Sequence, residues 1–162
     1  MAQTVHLKLK AAGGDVKGDS HIHSLERAET IECLKFWDAS TAARDPATGW
    51  STGRYKFEPL TVVKRIDPAT PFIAKALTDN QMVEGTFMFF RPNPTTGEEE
   101  MFFCIEFSEG RISHIKRLSP DVTDPAAAME PPTEEVGILF SKAKYLWCDG
   151  NLEHCVDWKG AS

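Results

Sequence analysis

The chain has 162 residues, 41% hydrophobic and 26% charged, with a formal charge of −6 at pH 7. That suits one domain with a full core, and it excludes a generic nucleic-acid binder, whose Lys and Arg would gather in a patch or stripe. The opening MAQTVHLKLK lacks the apolar stretch of a secretory signal, and no run reaches the ~18 apolar residues of a membrane span. The reading is a chain made and folded in the cytoplasm, with no membrane insertion, whose export would need a route without an N-terminal signal.

Residues 4–10, TVHLKLK, alternate apolar and polar as a half-buried strand does. AAGGDVKGDS is turn chemistry. HIH then places His21 and His23 on one side of an extended segment, a spacing metals use. A metal would need a third ligand, and no further His, Asp or Glu cluster points to that place. ETIECLKFWD, residues 29–38, reads as a strand. Leu34 and Phe36 face one way; Cys33, Lys35 and Trp37 face the other.

Residues 39–53, ASTAARDPATGWSTG, form an extended non-periodic loop with one large aromatic, Trp50. Long loops without secondary structure are uncommon and often functional, so Trp50 is either an interface anchor or a cover for its own domain. RYKFEPLTVVKRI, residues 54–66, is a strand whose apolar parity changes at Pro59, the mark of an edge or a bulge.

One short helix follows, over 71–79. Asp67–Pro68 turns the chain, Thr70 suits the N-cap, and Pro71 fits the first helical position. Phe72, Ile73, Ala76 and Leu77 lie on one face. A helix this short does not stand alone in water, so Phe72, Ile73 and Leu77 are expected to pack on the rest of the fold.

Residues 82–91 and 99–107 flank PNPTTG and read as a hairpin. Both are apolar on both faces, which predicts an outer cover, the helix or another subunit. RISHIKRL, 111–118, is a further strand, and 119–132 is a Pro/Ala-rich loop. TEEVGILFSKAKYLW, 133–147, is the longest strand, and its parity change predicts a bulge near Ser141–Lys142. Residues 148–162 form an acidic tail.

The sum is a single mainly β domain over 1–162. It has about seven or eight strands, closed or nearly closed as an antiparallel barrel, with one flanking helix. Cys33 and Cys104 lie in apolar strands as buried thiols. Cys148 and Cys155 are near enough in sequence to bridge, but the compartment favours the reduced form. No nucleophile elbow, phosphate-binding loop or metalloprotease motif is present, so no catalytic, cofactor or metal residue is assigned.

Four collinear pieces carry a family resemblance: DVKGDS with ETIECLKF, FEPLTVVKRIDPATPFIAKAL, EEVGILFSKAKYLW, and WCDGNLEHCVDW. Together they resemble the tube protein of the type VI secretion system, the haemolysin-coregulated protein family, which is related to phage tail-tube proteins. The resemblance implies a non-enzymatic barrel subunit. Six copies would form a ring, and rings would stack into a hollow tube. The tube would be driven by a contractile sheath, tipped by a spike protein, and able to carry small effectors in its lumen. Some members carry fused toxin domains; with the chain ending at residue 162, none is expected here. Under that model Trp50 and Arg54 are expected to contact the next ring, and Cys33, Lys35 and Trp37 to face the lumen. Two other classes fit the residues alone. One is a monomeric barrel binding a small apolar ligand. The other is a metal-dependent hydrolase using His21 and His23.

Overall fold

The computed structural model describes residues 3–158. In chain order the elements are β1 (Thr4–Ala11), β2 (Gly14–Val16), β3 (Ile31–Trp37), β4 (Ser40–Arg44), β5 (Ser51–Phe57), β6 (Leu60–Arg65), α1 (Thr70–Thr78), β7 (Val83–Pro92), β8 (Glu99–Leu118), β9 (Thr133–Leu139), β10 (Lys142–Trp147) and β11 (Leu152–Asp157). Six strands close an antiparallel barrel: the pairing runs β8–β7–β1–β3–β6–β9, and β9 returns to β8. Strands β10 and β11 continue the sheet outward from β8, β2 adds to β1, and β4–β5 is a separate hairpin. The expected tail is therefore largely strand β11, and its last four residues lie outside the described residues.

Two expected strands, 99–107 and 111–118, are one continuous strand, β8. It bends where Glu109 takes a positive φ of 53°. At Gly110 a Cβ would lie 2.9 Å from the carbonyl oxygens of Leu139 and Val83, so only glycine lets the strands approach there. The segment 133–147 runs alongside β8 from Leu118 to Phe103. Its pairing passes from Leu118↔Thr133 to Arg111↔Leu139, then from Ser108↔Lys142 to Phe103↔Trp147. The predicted bulge is the break at Phe140–Ser141. Beyond it β10 turns its free edge to β11, whereas β9 turns its own to β6. One bent ribbon thus closes the barrel and also extends past it.

The expected strand 54–66 is two strands. Proline cannot donate to a ladder, and the chain leaves one sheet and joins another at Glu58–Pro59. Strand β5 pairs only with β4, while β6 enters the barrel between β3 and β9.

The interior is filled by alternating residues, among them Leu7 and Leu9 of β1, Leu60 and Val62 of β6, Phe87 of β7, and Val136 and Ile138 of β9. Helix α1 packs on this core through Ala69, Ile73 and Ala76, a narrow i, i+4, i+7 stripe. Ile73 is buried as expected, but Phe72 is 56% exposed and Leu77 37% exposed. The stripe is narrower than the sequence face suggested, because two alanines let the helix sit close and leave larger neighbours at the rim.

Thr70 does not cap the helix. The N-cap is Ala69, which makes no side-chain cap bond. Instead the Thr70 hydroxyl accepts the Asp67 N–H at 3.1 Å and donates to the Glu134 carboxylate at 2.8 Å. It joins a buried ionic network at this end of the barrel. Lys64 and Glu134 are both fully buried, and the Lys64 ammonium reaches Glu134 at 2.6 Å and Asp67 at 2.8 Å. Arg117 donates to the second Glu134 oxygen at 3.0 Å. Burial raises the Asp67 carboxyl above its ordinary range, against the lowering effect of Lys64.

Part of the outer face of the 82–107 hairpin is covered by the chain itself. Phe90 is buried under the chain's own segment 17–30, with the Arg27 guanidinium 4.4 Å from its ring centroid and paired to Glu99.

Candidate assembly surfaces

The loop expected at 39–53 is most of a β-hairpin arm that runs on to Phe57. Its ladder extends from Ser40↔Phe57 to Arg44↔Ser51. DPATG builds the tip. The Asp45 carboxylate accepts the N–H groups of Ala47 at 2.7 Å and Thr48 at 3.2 Å, and Gly49 takes a φ of 72°. Every residue of β4 is exposed, most of β5 is exposed, and Trp50 at the tip is 76% exposed.

The base of the arm is fixed by aromatic rings. Tyr55 lies 5.3 Å from Trp158, and Phe57 lies 5.4 Å from Phe140. Arg54 stacks 5.2 Å from the Trp158 ring and donates to the Trp158 carbonyl at 3.0 Å. Of the two residues expected to contact a neighbouring ring, Trp50 projects from the tip and Arg54 lies nearer the base, in contact with the C-terminal segment. Trp158 was missed by sequence reasoning. Its only signal was a lone aromatic in an acidic tail.

Of the three residues expected on one outward face of β3, the structure keeps two there. The β3–β6 register shifts between Cys33 and Lys35, so one extra residue reverses the parity. Cys33 packs against the core, and burial pushes its thiol up to about 12. Phe36 also turns inward, 4.8 Å from Phe87 and 5.3 Å from Phe89. Lys35 and the 44%-exposed Trp37 remain on the outer face, opposite Val63 and Thr61. Across that face His114 bonds Glu135 at 3.0 Å and lies over Gly137, where a Cβ would strike the imidazole.

All four cysteines are free thiols. Cys148 hydrogen-bonds Cys104, not Cys155, and burial pushes the Cys104 thiol up to about 11. Cys155 is exposed and sits opposite Lys144. His21 is exposed, its Nδ1–H donating to the Asp19 carbonyl at 3.1 Å. Among the described residues no group of three His, Cys, Asp or Glu side chains is placed to hold a metal ion.

A groove of about 960 Å³ lies outside the barrel, between the outer faces of β1, β7, β8 and β10 and the chain at Asp15–Lys17 and Ala28–Thr30. Four of its lysines are engaged with acids: Lys8 with Glu26 at 3.5 Å, Lys17 with Glu29 at 3.1 Å, Lys142 with Glu109 at 3.6 Å, and Lys144 with Glu153 at 3.3 Å. The packed barrel interior and this charged exterior groove disfavour a barrel that holds a small apolar ligand inside.

Residues 7–147 match the family model described as type VI secretion system effector, Hcp. The sequence is 23% identical over 116 residues to the major exported protein of Pseudomonas aeruginosa, covering 72% of this chain and 67% of that one. The fold superposes on the crystal structure of an Hcp protein with a TM-score of 0.85 at 16% identity, covering 97% of this chain and 98% of the other. It superposes on the Hcp1 protein of the E. coli EAEC 042 pathovar with a TM-score of 0.82 at 24% identity, covering 97% and 99%.

Proposed function

The chain belongs to the Hcp family of the type VI secretion system, whose members are structural tube proteins and not enzymes, and on that premise we propose that it closes into six-membered rings which stack through the β4–β5 arm. The observation that carries the proposal is the arm itself: a hairpin exposed along most of its length, rigidly based on Trp158, with Trp50 at its tip 76% exposed. A large aromatic held out on a stiff support is the kind of residue that anchors an interface. A heterologous contact between copies gives rings when the rotation closes and filaments when it does not.

In this reading the tube is assembled in the cytoplasm, meets a spike at its tip and a sheath around it, and is exported. Relationship to a protein named as exported supports the last step. Lys35 and Trp37 face the lumen and touch small effectors; Cys33, turned to the core, does not.

Light scattering and negative-stain imaging of the wild type and Trp50→Asp test the assembly. The expected mass is six times the 18.0 kDa chain for Trp50→Asp and multiples of that ring for the wild type, with stacked rings in the wild type alone. A clean monomer at high concentration overturns the ring, and unchanged stacking in Trp50→Asp overturns the role of the arm. Trp37→Glu should keep the rings and lower recovery of a bound effector; unchanged recovery counts against a lumenal Trp37.

A further inference from the structure

His6 stands on β1 between the core residues of that strand, so its ring points to the outer side of the barrel, yet it is fully buried. Its cover is the segment 17–30. Nδ1 lies 3.0 Å from the Thr30 hydroxyl and 3.5 Å from the Ser20 hydroxyl. Both hydroxyl protons have other acceptors: Thr30 donates to the Arg27 carbonyl at 2.6 Å, and Ser20 donates to the Ile22 carbonyl at 3.0 Å. Each oxygen can therefore only accept from the imidazole, which places the proton on Nδ1. Nε2 then carries a lone pair, and it has no hydrogen-bond partner. That arrangement suits a neutral imidazole. A second proton would sit on Nε2 as a buried N–H of a cation, with nothing to accept it.

The charged groups around the ring come from three other parts of the fold. Arg27 of the covering segment repels a second proton, while Glu32 of β3 and Glu99 of β8 attract it. Both carboxylates are already engaged, Glu32 by Arg65 at 3.1 Å and Glu99 by Arg27. Burial first and Arg27 second hold His6 below its ordinary value.

The covering segment is itself strained. Leu25, Glu26 and Glu29 take positive φ values of 54°, 61° and 58°, a region that side chains other than glycine disfavour. Its closure onto β3 leaves no room at Gly18, where a Cβ would lie 2.5 Å from the Thr30 carbonyl oxygen.

We propose that His6, Thr30 and Ser20 form an acid-sensitive latch, which holds segment 17–30 over β1 when the imidazole is neutral and releases it in mild acid. Protonation strips the closed form of its fit, and the backbone strain favours the released form. Release uncovers Phe90 and removes the Ala28–Thr30 wall of the exterior groove. The sign follows from linkage. A histidine held below its ordinary value binds its proton more tightly when released, so opening grows as pH falls below about 6.5 and levels off below the closed-state value.

The experiment measures amide-exchange protection factors of Gly18, Ser20 and Thr30 between pH 7.5 and 5.5 in the full chain. These amides donate to Glu29, Thr30 and Arg27 carbonyls within the segment. In the wild type, protection falls by up to about tenfold per pH unit below about 6.5. In His6→Gln, which has no charge to gain, it stays flat. A flat wild-type profile, or an equal fall in His6→Gln, overturns the latch. Should His6→Gln not fold, imidazole NMR of the wild type decides. A His6 ring that titrates at its ordinary value while these amides stay protected overturns it, and a depressed midpoint with exchange rising in step supports it.

Discussion

Replacing Lys64 with methionine tests the buried network that seats the helix. Lys64 is fully buried and its ammonium reaches four acceptors: Glu134 at 2.6 Å, Asp67 at 2.8 Å, the Arg65 carbonyl at 2.9 Å and the Thr70 hydroxyl at 3.3 Å. Breaking a buried ion pair from one side costs about 3–5 kcal/mol, because the other charge stays behind without its partner. Here Arg117 still donates to Glu134, so the low end applies, about 3 kcal/mol. For a domain of this size that lowers Tm by about 6–12 °C. The double variant Lys64→Met/Glu134→Leu should lose less than the sum of the two single changes, by more than about 1.5 kcal/mol. The pH dependence provides a second check. Asp67 already sits above the ordinary carboxylate range through burial, and without Lys64 it rises further. A carboxyl raised in the folded state binds its proton more tightly there. The deficit of Lys64→Met should therefore shrink as pH falls from 7 toward about 4. Urea denaturation across that range is the assay. A Lys64→Met deficit within about 1 kcal/mol of zero, or one that does not change with pH, would refute the claim that this network is a tightly coupled buried unit.

Three further outcomes are expected. Ile73→Ala should cost about 2–4 kcal/mol in denaturant unfolding, whereas Phe72→Ser should stay within about 0.5 kcal/mol, because only Ile73 enters the core. Gly85→Ala should lower the denaturation midpoint by the equivalent of about 2 kcal/mol, since its Cβ would collide with the Lys8 backbone carbonyl, which cannot swing away. Maleimide labelling at pH 8, followed by peptide mass mapping, should modify Cys155 first and Cys148 slowly. Cys33, half-buried against the core, and Cys104, buried, with thiols pushed up to about 12 and 11, should react only on unfolding.

The mainly β class, the lone helix and its seat after Asp67–Pro68 were legible because period-2 alternation and proline punctuation act over a few residues. So, within a residue, was the break in 133–147, expected near Ser141–Lys142 and found at Phe140–Ser141. Other features were not legible. Continuous pairing joins 99–107 to 111–118 across Glu109–Gly110, a stretch that reads as a turn until a partner strand lies along it. The bulge at Leu34 reversed Cys33, since parity counted along one strand assumes a regular ladder and the register is set by β6. The part of the arm at 39–53 looked like loop because β4 and the start of β5 are exposed and carry no alternation.

The sequence by itself determined where strands can form, where they must stop, and, through four ordered motifs, which family of barrels they belong to. Only the tertiary structure decided which groups meet. Lys64 and Glu134 are 70 residues apart, and Arg54 and Trp158 are 104 apart. His6 is covered by a segment beginning eleven residues later. Local patterning fixes each strand's own geometry, but burial, charge pairing and a ring without a partner for Nε2 arise from the closure of the barrel, which brings distant residues together.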